Sequence, residues 1–427
     1  MKRKLILLAF LLAAVWPLRA QTTEPPKTDE AELRRQAFEK VWTTVNEKHY
    51  DPTFGGVDWK KVREIYEPQA MAAKTLADFH AVLRRMVGEL KLSHFGIYPR
   101  EAPAAKREAG GTTGIELKMI DGRPVIYRIE KDSPAEKAGL KPGFELRAID
   151  GKTTAALLDP LEKIIAERTS NENVKKVYRE RFLGVFLDGK PETVVRIEVL
   201  DAGGKPQTFA VARAAAAPAE MSEAFGNFPP QPVVFEARRL ENNIGYIRFN
   251  MWVIPQMAKI RKAIREFADA RGIVFDLRGN PGGIGGMAPG VAGLLMSEQV
   301  SFGSMKGRDS EQKFIVYPQS NPFAGRVVIL TDYATGSTSE IFAAGMQDTG
   351  RAIVIGERTA GAVLPSVFDT LPTGVIFQYA ISDYRSPKNV LVEGRGVAPD
   401  TEVKETRAAL LAGRDLPLEA AVRQILN

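Results

Sequence analysis

The chain has 427 residues, 59 basic against 52 acidic side chains, only three histidines and no cysteine. Without cysteine there are no disulfides, no thiolate zinc sites and no cysteine nucleophile. The length suits two or three domains with sizeable cores.

At the N-terminus Lys2, Arg3 and Lys4 precede an uncharged apolar stretch over residues 5–16, and Leu18-Arg19-Ala20 places a small residue before Gln21. This is the layout of a secretory signal peptide over 1–20, with an apolar run too short to span a bilayer; an uncleaved anchor is the alternative. No cysteine follows it, so a lipoprotein anchor is excluded. Removing these residues takes away four basic groups and leaves 55 against 52, so the formal charge falls from +7 to +3. A balance that near neutral gives no electrostatic case for nucleic-acid binding. No later apolar run reaches spanning length, so a mature chain without a transmembrane span is expected, periplasmic or extracellular.

Residues 21–28 read as a polar leader. From 29 to about 100 the chain reads as a helical cap: Leu76, Phe79, His80, Leu83, Val87 and Leu90 recur at three- and four-residue spacing, one apolar helix face. An Ala-, Lys- and Gly-rich linker over 101–113 follows. The next domain, over 108–213, opens with short alternating strands at 114–119 and 124–129 around an Asp121-Gly122 turn. It is interrupted by helical character at about 155–185 and closed by strands near 192–199 and 207–212. A second linker over 213–232 runs from an alanine tract to Pro229-Pro230-Gln231-Pro232. Beyond it, strands at 244–249, 272–277 and 326–331 alternate with helices at 255–270 and 338–348, an α/β layer architecture with a partly parallel sheet.

Thr335-Gly336-Ser337-Thr338-Ser339-Glu340 lies between an apolar strand and an Ala/Met-rich helix. A serine at such a turn exposes its hydroxyl, and the unpaired first amides of the helix can donate to an oxyanion. The same residues also form a capping-box pattern, which requires no chemistry. Asp276-Leu277-Arg278-Gly279-Asn280-Pro281-Gly282-Gly283 follows another strand. Its glycines allow close backbone approach, so Gly282 or Gly283 is placed to supply a second oxyanion donor beside Thr338. A tight turn is the plain reading, and the missing Gly-Lys-Ser/Thr ending weakens a phosphate-loop reading.

Together with Glu340-Ile341-Phe342-Ala343-Ala344-Gly345-Met346-Gln347-Asp348, Gly356-Glu357-Arg358-Thr359-Ala360-Gly361 and Gly394-Arg395-Gly396-Val397-Ala398-Pro399-Asp400, these motifs resemble the tail-specific (carboxyl-terminal processing) and tricorn-like serine peptidases over roughly 240–405. The resemblance implies a multidomain α+β chain: a helical cap, a PDZ-like β domain and, over 233–427, an α/β core of the ClpP/crotonase type. It implies Ser337 as nucleophile. The bacterial branch pairs that serine with a lysine, yet the corresponding residue here is Ala362, and the only later lysines, Lys388 and Lys404, lie outside the motif. A serine hydroxyl needs an adjacent base, so the site is either silent or served differently. The tricorn-like branch takes its base from a Ser-His pair, which Ser93-His94 resembles, and orients it through a glutamate at the place of Glu393. The implied arrangement is Glu393–Ser93–His94–Ser337, a Ser-His-Asp logic in another chain order. His80 reads as a packed helix residue and His49 as a loop site. Asp348 and Arg351 read as structural, a local ion pair being one option.

Ser133-Pro134-Ala135-Glu136-Lys137-Ala138-Gly139-Leu140 and Ile149-Asp150-Gly151-Lys152 resemble a bacterial PDZ domain, with Gly114-Ile115-Glu116-Leu117 as its peptide-docking edge. Phe144-Glu145-Leu146 departs from the Asp-x-Ile usual there, which leaves groove preference open, and a bracing role without peptide binding is the alternative. The expectation is an exported endopeptidase acting on polypeptides, their C-termini included, with no metal or organic cofactor. A catalytically silent binding protein on the same scaffold is the competing reading, since the core also resembles the retinoid-binding modules of vertebrate photoreceptors. A lipase-type esterase lacks its Gly-x-Ser-x-Gly.

Overall fold

The structure is a computed structural model that describes residues 29–99, 110–216 and 219–427. The expected signal peptide, the leader and most of the 101–113 linker lie outside the described residues.

The N-terminal part has three helices, α1 (Glu30–Lys48), α2 (Trp59–Met71) and α3 (Leu76–Gly88), followed by the short strand β1 (Gly96–Tyr98). Thr75 caps α3 through Asp78 N, and the helix buries Phe79, Val82, Leu83, Met86 and Val87. The apolar face departs from expectation at its start, where Leu76 is exposed in the first turn.

The second module contains β2 (Gly111–Thr112), β3 (Ile115–Ile120), β4 (Arg123–Ile129), α4 (Pro134–Lys137), β5 (Glu145–Ile149), β6 (Lys152–Thr153), α5 (Thr154–Arg168), α6 (Glu172–Leu187), β7 (Val194–Leu200), β8 (Pro206–Ala212) and β9 (Ala214–Ala215). The antiparallel order is β3-β4-β5-β7-β8, so β3 is an outer strand. Asp121 and Gly122 both take positive φ, as a two-residue hairpin turn of this twist requires. The helical interruption is two helices, not one continuous stretch. The second linker has structure of its own: Ala214 and Ala215 pair with β2, and Met221 bridges Pro232.

The C-terminal part runs β10 (Phe235–Leu240), β11 (Ile244–Phe249), α7 (Ile254–Glu266), β12 (Gly272–Asp276), α8 (Met287–Ala292), β13 (Val300–Lys306), β14 (Glu311–Val316), β15 (Arg326–Thr331), α9 (Thr338–Asp348), β16 (Ala352–Gly356), β17 (Ser366–Thr370), β18 (Ile376–Ala380), β19 (Asp383–Arg385), β20 (Thr401–Glu402), α10 (Arg407–Leu411) and α11 (Leu416–Leu426). The main sheet has the order β10-β11-β12-β15-β16-β20, parallel from β11 onward. Every residue of β12 is buried, as expected of a strand covered on both faces. One face packs on α7, α8 and α9; the other, through Tyr246, Val274, Val328 and Ile355, packs on α11. Parallel strands of this kind end together, so the loops after β12 and β15 meet at one edge.

The helical cap is joined to this core by pairing and by packing. β1 adds antiparallel to β18, with Gly96 opposite Gln378. Leu371, Phe377 and Tyr379 enter the apolar cluster formed by α1, α2 and α3. The turn between α3 and β1 therefore arrives beside the loop after β15.

Candidate active site

Ser337 stands at the N-cap of α9 with φ 53° and ψ −121°, a conformation L-residues seldom adopt. The turn is seated on Glu340. Its buried carboxylate accepts from Ser337 N (3.0 Å), Gly361 N (2.7 Å), Ala362 N (3.0 Å) and Thr359 Oγ1 (2.5 Å). Burial pushes this carboxyl up, to about 7, against the pull of those donors. The glutamate of the capping-box pattern thus holds the turn by its backbone.

The Ser337 side chain faces His94: Nε2 and Oγ are 3.3 Å apart, across 243 positions of sequence. His94 also has positive φ, 58°, in the turn after α3. Its Nδ1 lies 2.6 Å from Ser93 Oγ, which donates to Glu393 Oε2 at 2.9 Å. Glu393 Oε1 accepts from Ser93 N (2.9 Å), and Oε2 also accepts from Val363 N (2.9 Å). These contacts fix a tautomer. The single Ser93 hydroxyl proton goes to the carboxylate, so Nδ1 must carry a proton and donate to Ser93 Oγ. Nε2 is then the lone-pair nitrogen, directed at Ser337. Burial pushes the imidazole down, to about 4, and pushes the Glu393 carboxyl above its ordinary range.

Facing Ser337 is the loop after β12. Gly282 approaches so closely that a methyl group there would lie 2.4 Å from Ser337 Cβ. Its amide is taken by Asn280 Oδ1 at 3.0 Å, which removes Gly282 as an oxyanion donor. Among the described residues, the amides of Gly283 and Thr338 have no acceptor. Thr338 Oγ1 donates to Gly283 O (2.9 Å), and Gly336 N to Asn280 O (3.0 Å), so the two loops are stitched together.

The other candidates lie elsewhere. His80 Nε2 meets Thr373 Oγ1, and His49 is buried with Nδ1 against the Asp51 backbone. Lys388 pairs with Asp348 and Lys404 with Glu402, so neither reaches Ser337. The optional Asp348–Arg351 pair is not formed: the Arg351 guanidinium donates to the carbonyls of Leu295, Phe323 and Gly325. Ala362 accepts from Ser337 N through its carbonyl, at 2.8 Å, while its side chain carries no base. In the second module, Ile115–Ile120 is the outer strand that contains most of the expected docking edge. At Met119 its amide is met by Glu180 Oε1 (2.6 Å) and the Tyr333 hydroxyl (3.0 Å).

Residues 243–403 match Peptidase family S41, and residues 30–88 match the Tricorn protease C1 domain. The chain thus carries an S41 peptidase domain and a Tricorn C1 domain. The chain is 24% identical to the carboxyl-terminal-processing protease of Synechocystis sp. over 409 residues, which is 92% of this chain and 86% of that protein. It is 27% identical to tricorn protease homolog 1 of Streptomyces coelicolor over 405 residues, 94% of this chain but 35% of that longer protein. In fold it is similar to the photosystem II D1 C-terminal processing protease (TM-score 0.57, 21% identity, 87% of this chain and 93% of that one). It is similar too to mature CPAF (TM-score 0.61, 13% identity, 89% and 94%). The chain is accordingly a serine-type peptidase, similar to carboxyl-terminal-processing proteases, with a mixed α/β multidomain fold. Among the described residues no helix is long and apolar enough to cross a membrane.

Proposed function

We propose that this S41 peptidase is an exported endopeptidase that cleaves polypeptides by acyl transfer, with Ser337 as nucleophile and His94 as its base. The observation that carries this reading is the unbroken contact chain Glu393–Ser93–His94–Ser337, in which Nε2 is left as an acceptor. His94 Nε2 takes the hydroxyl proton while Ser337 Oγ forms a bond to the peptide carbonyl carbon. The developing oxyanion meets the amides of Thr338 and Gly283. The tetrahedral adduct then expels the amine, which takes the proton from His94, and a water molecule activated by the same imidazole releases the acyl group. Glu393 keeps Ser93 as an acceptor for Nδ1–H, so it positions the base without meeting the substrate. The second module is read as a PDZ domain, which would offer β3 to a substrate C-terminus by strand addition.

Ala362, where a lysine would serve the family's other dyad, favours one rival reading, a silent binding protein. The deciding experiment incubates the full chain and its Ser337→Ala variant with an unstructured polypeptide ending in apolar residues, and reads the products by mass spectrometry. Fragments from the wild type alone are expected, and His94→Ala is expected to lower turnover by on the order of 10³-fold or more. Equal cleavage by Ser337→Ala would overturn the nucleophile. Silence of both proteins across substrates and pH would give the binding reading.

A further inference from the structure

Lys118 lies in β3 of the second module, only 6% exposed, and its Nζ lies 4.1 Å from the centre of the Tyr127 ring. It reaches out of its own module to Asp332, Nζ to Oδ2 2.5 Å, across 214 positions of sequence. Asp332 is also buried, at 1% exposure, and it begins the turn between β15 and Ser337. Its other oxygen, Oδ1, accepts from Gly279 N (2.9 Å) and Ala334 N (3.0 Å), with Thr335 Oγ1 at 3.1 Å. Gly279 opens the loop that ends in Gly282 and Gly283; Ala334 and Thr335 lead into Ser337. One carboxylate therefore ties together the two loops that present the Gly283 and Thr338 amides. The second nearby cation, Arg278, is committed to Asp276 and Asp415.

We infer that Lys118 is a positioning residue for acylation of Ser337, acting from the second module through Asp332. A carboxylate gathering several donors in a dry interface holds its geometry only while its charge is compensated. Without Lys118 the charged carboxylate turns toward water, which releases the Gly279 or Ala334 amide and lets the two loops drift apart. The reacting groups tolerate little of that, since misplacement by about 1 Å costs on the order of a hundredfold in rate.

The inference rests on the reading of Ser337 as nucleophile, and a fluorophosphonate probe separates the two. In labelling, the Ser337 Oγ–P bond forms, the P–F bond breaks, fluoride leaves and the hydroxyl proton passes to His94. The probe does not need the β3 edge. The experiment compares full-length wild type, Ser337→Ala, Lys118→Met and the double variant Lys118→Met/Asp332→Asn, with far-UV circular dichroism on each. Lys118→Met is expected to label about ten- to hundredfold more slowly, and to lose the same factor in kcat on an unstructured polypeptide with KM within about twofold. The double variant is expected to recover much of the labelling rate. A neutral carboxamide in place of the Asp332 carboxylate needs no countercharge, and its oxygen still faces Gly279 and Ala334. Labelling of Lys118→Met within twofold of wild type, or an effect on KM alone, overturns the inference while leaving the nucleophile intact. Should Lys118→Met fail to fold, the double variant decides: labelling near the wild-type rate supports the inference, and loss of labelling with native dichroism overturns it. Wild type that labels no faster than Ser337→Ala overturns both.

Discussion

A serine hydroxyl becomes a nucleophile only when a neighbour can take its proton, so one hydrogen position decides whether Ser337 can react. Ser93 donates to Glu393, which obliges His94 to donate from Nδ1 and leaves Nε2 bare toward Ser337. Glu393→Gln tests this directly. A carboxamide cannot accept at both positions: its NH₂ must face either Ser93 N or the pair Ser93 Oγ and Val363 N, each of which is a donor now. If that NH₂ meets Ser93 Oγ, the serine proton turns to Nδ1 and the proton of the ring moves to Nε2. Loss of about 10²- to 10⁴-fold in kcat is expected, with the fold retained, by analogy with the wrong-tautomer effect in serine peptidases; a change below about threefold would remove Glu393 from the site. The pH profile follows from burial of the ring. The base form is the active one, so activity is present at high pH and lost as pH falls through the imidazole pKa. Burial lowers that value to about 4 from 6.5, so the acid limb of kcat/KM is expected well below the ordinary histidine range. A limb at 6.5 would mean that the free enzyme keeps His94 wetter than its surroundings here imply.

At the scale of elements, the site is a meeting of two loops, and glycine decides how near they come. Gly282 has φ 100°, and a methyl group added there would sit 2.8 Å from Thr338 N as well as against Ser337 Cβ. Neither neighbour is a flexible chain end, so Gly282→Ala must push the loops apart. A fall in turnover of at least about a hundredfold is expected, whereas Gly285→Ala, three residues on with ordinary φ and open space, is expected to leave turnover within twofold. Equal effects of the two would mean that the approach of the loops is not what the chemistry needs. This loop was legible in the sequence as a run of glycines after a strand, because positive φ and close approach leave a residue-type signature. The choice between Gly282 and Gly283 was not legible. It turns on Asn280 folding its side chain back onto one amide, a matter of local rotamer and not of composition. The same limit hid the seat beneath Ser337. Glu340 showed in the sequence as a helix cap, while its bonds to Thr359, Gly361 and Ala362 depend on where a distant turn comes to rest.

The whole molecule brings His94 and Ser337 together from separate regions of the chain, and the sequence reveals such a joint only where each half carries its own motif. Ser93-His94, Ser337 and Glu393 did so, and the alternation of strands and helices made the parallel sheet readable. Lys118 with Asp332, a buried pair between modules, and Arg278 with Asp415, within the C-terminal part, did not, because an ion pair between distant side chains has no period and no spacing. The cap is held to the core largely through β18: Ile97 pairs with Phe377, whose fully buried ring lies in the cluster of α1, α2 and α3. His94 sits three residues before Ile97, so the grip on Phe377 also sets the distance from Nε2 to Ser337. Phe377→Ala is expected to cost about 3–5 kcal/mol of stability, distributed unevenly. Hydrogen exchange should quicken in the cap helices, residues 30–88, while the core strands over 272–276 and 326–331 keep their protection, because the main sheet has its own apolar clusters on both faces. Turnover should fall with the cap's protection and not with that of the core. Uniform quickening across cap and core would show that the two unfold as one unit, and activity with a fully exchanged cap would show that His94 holds its place without the helices behind it.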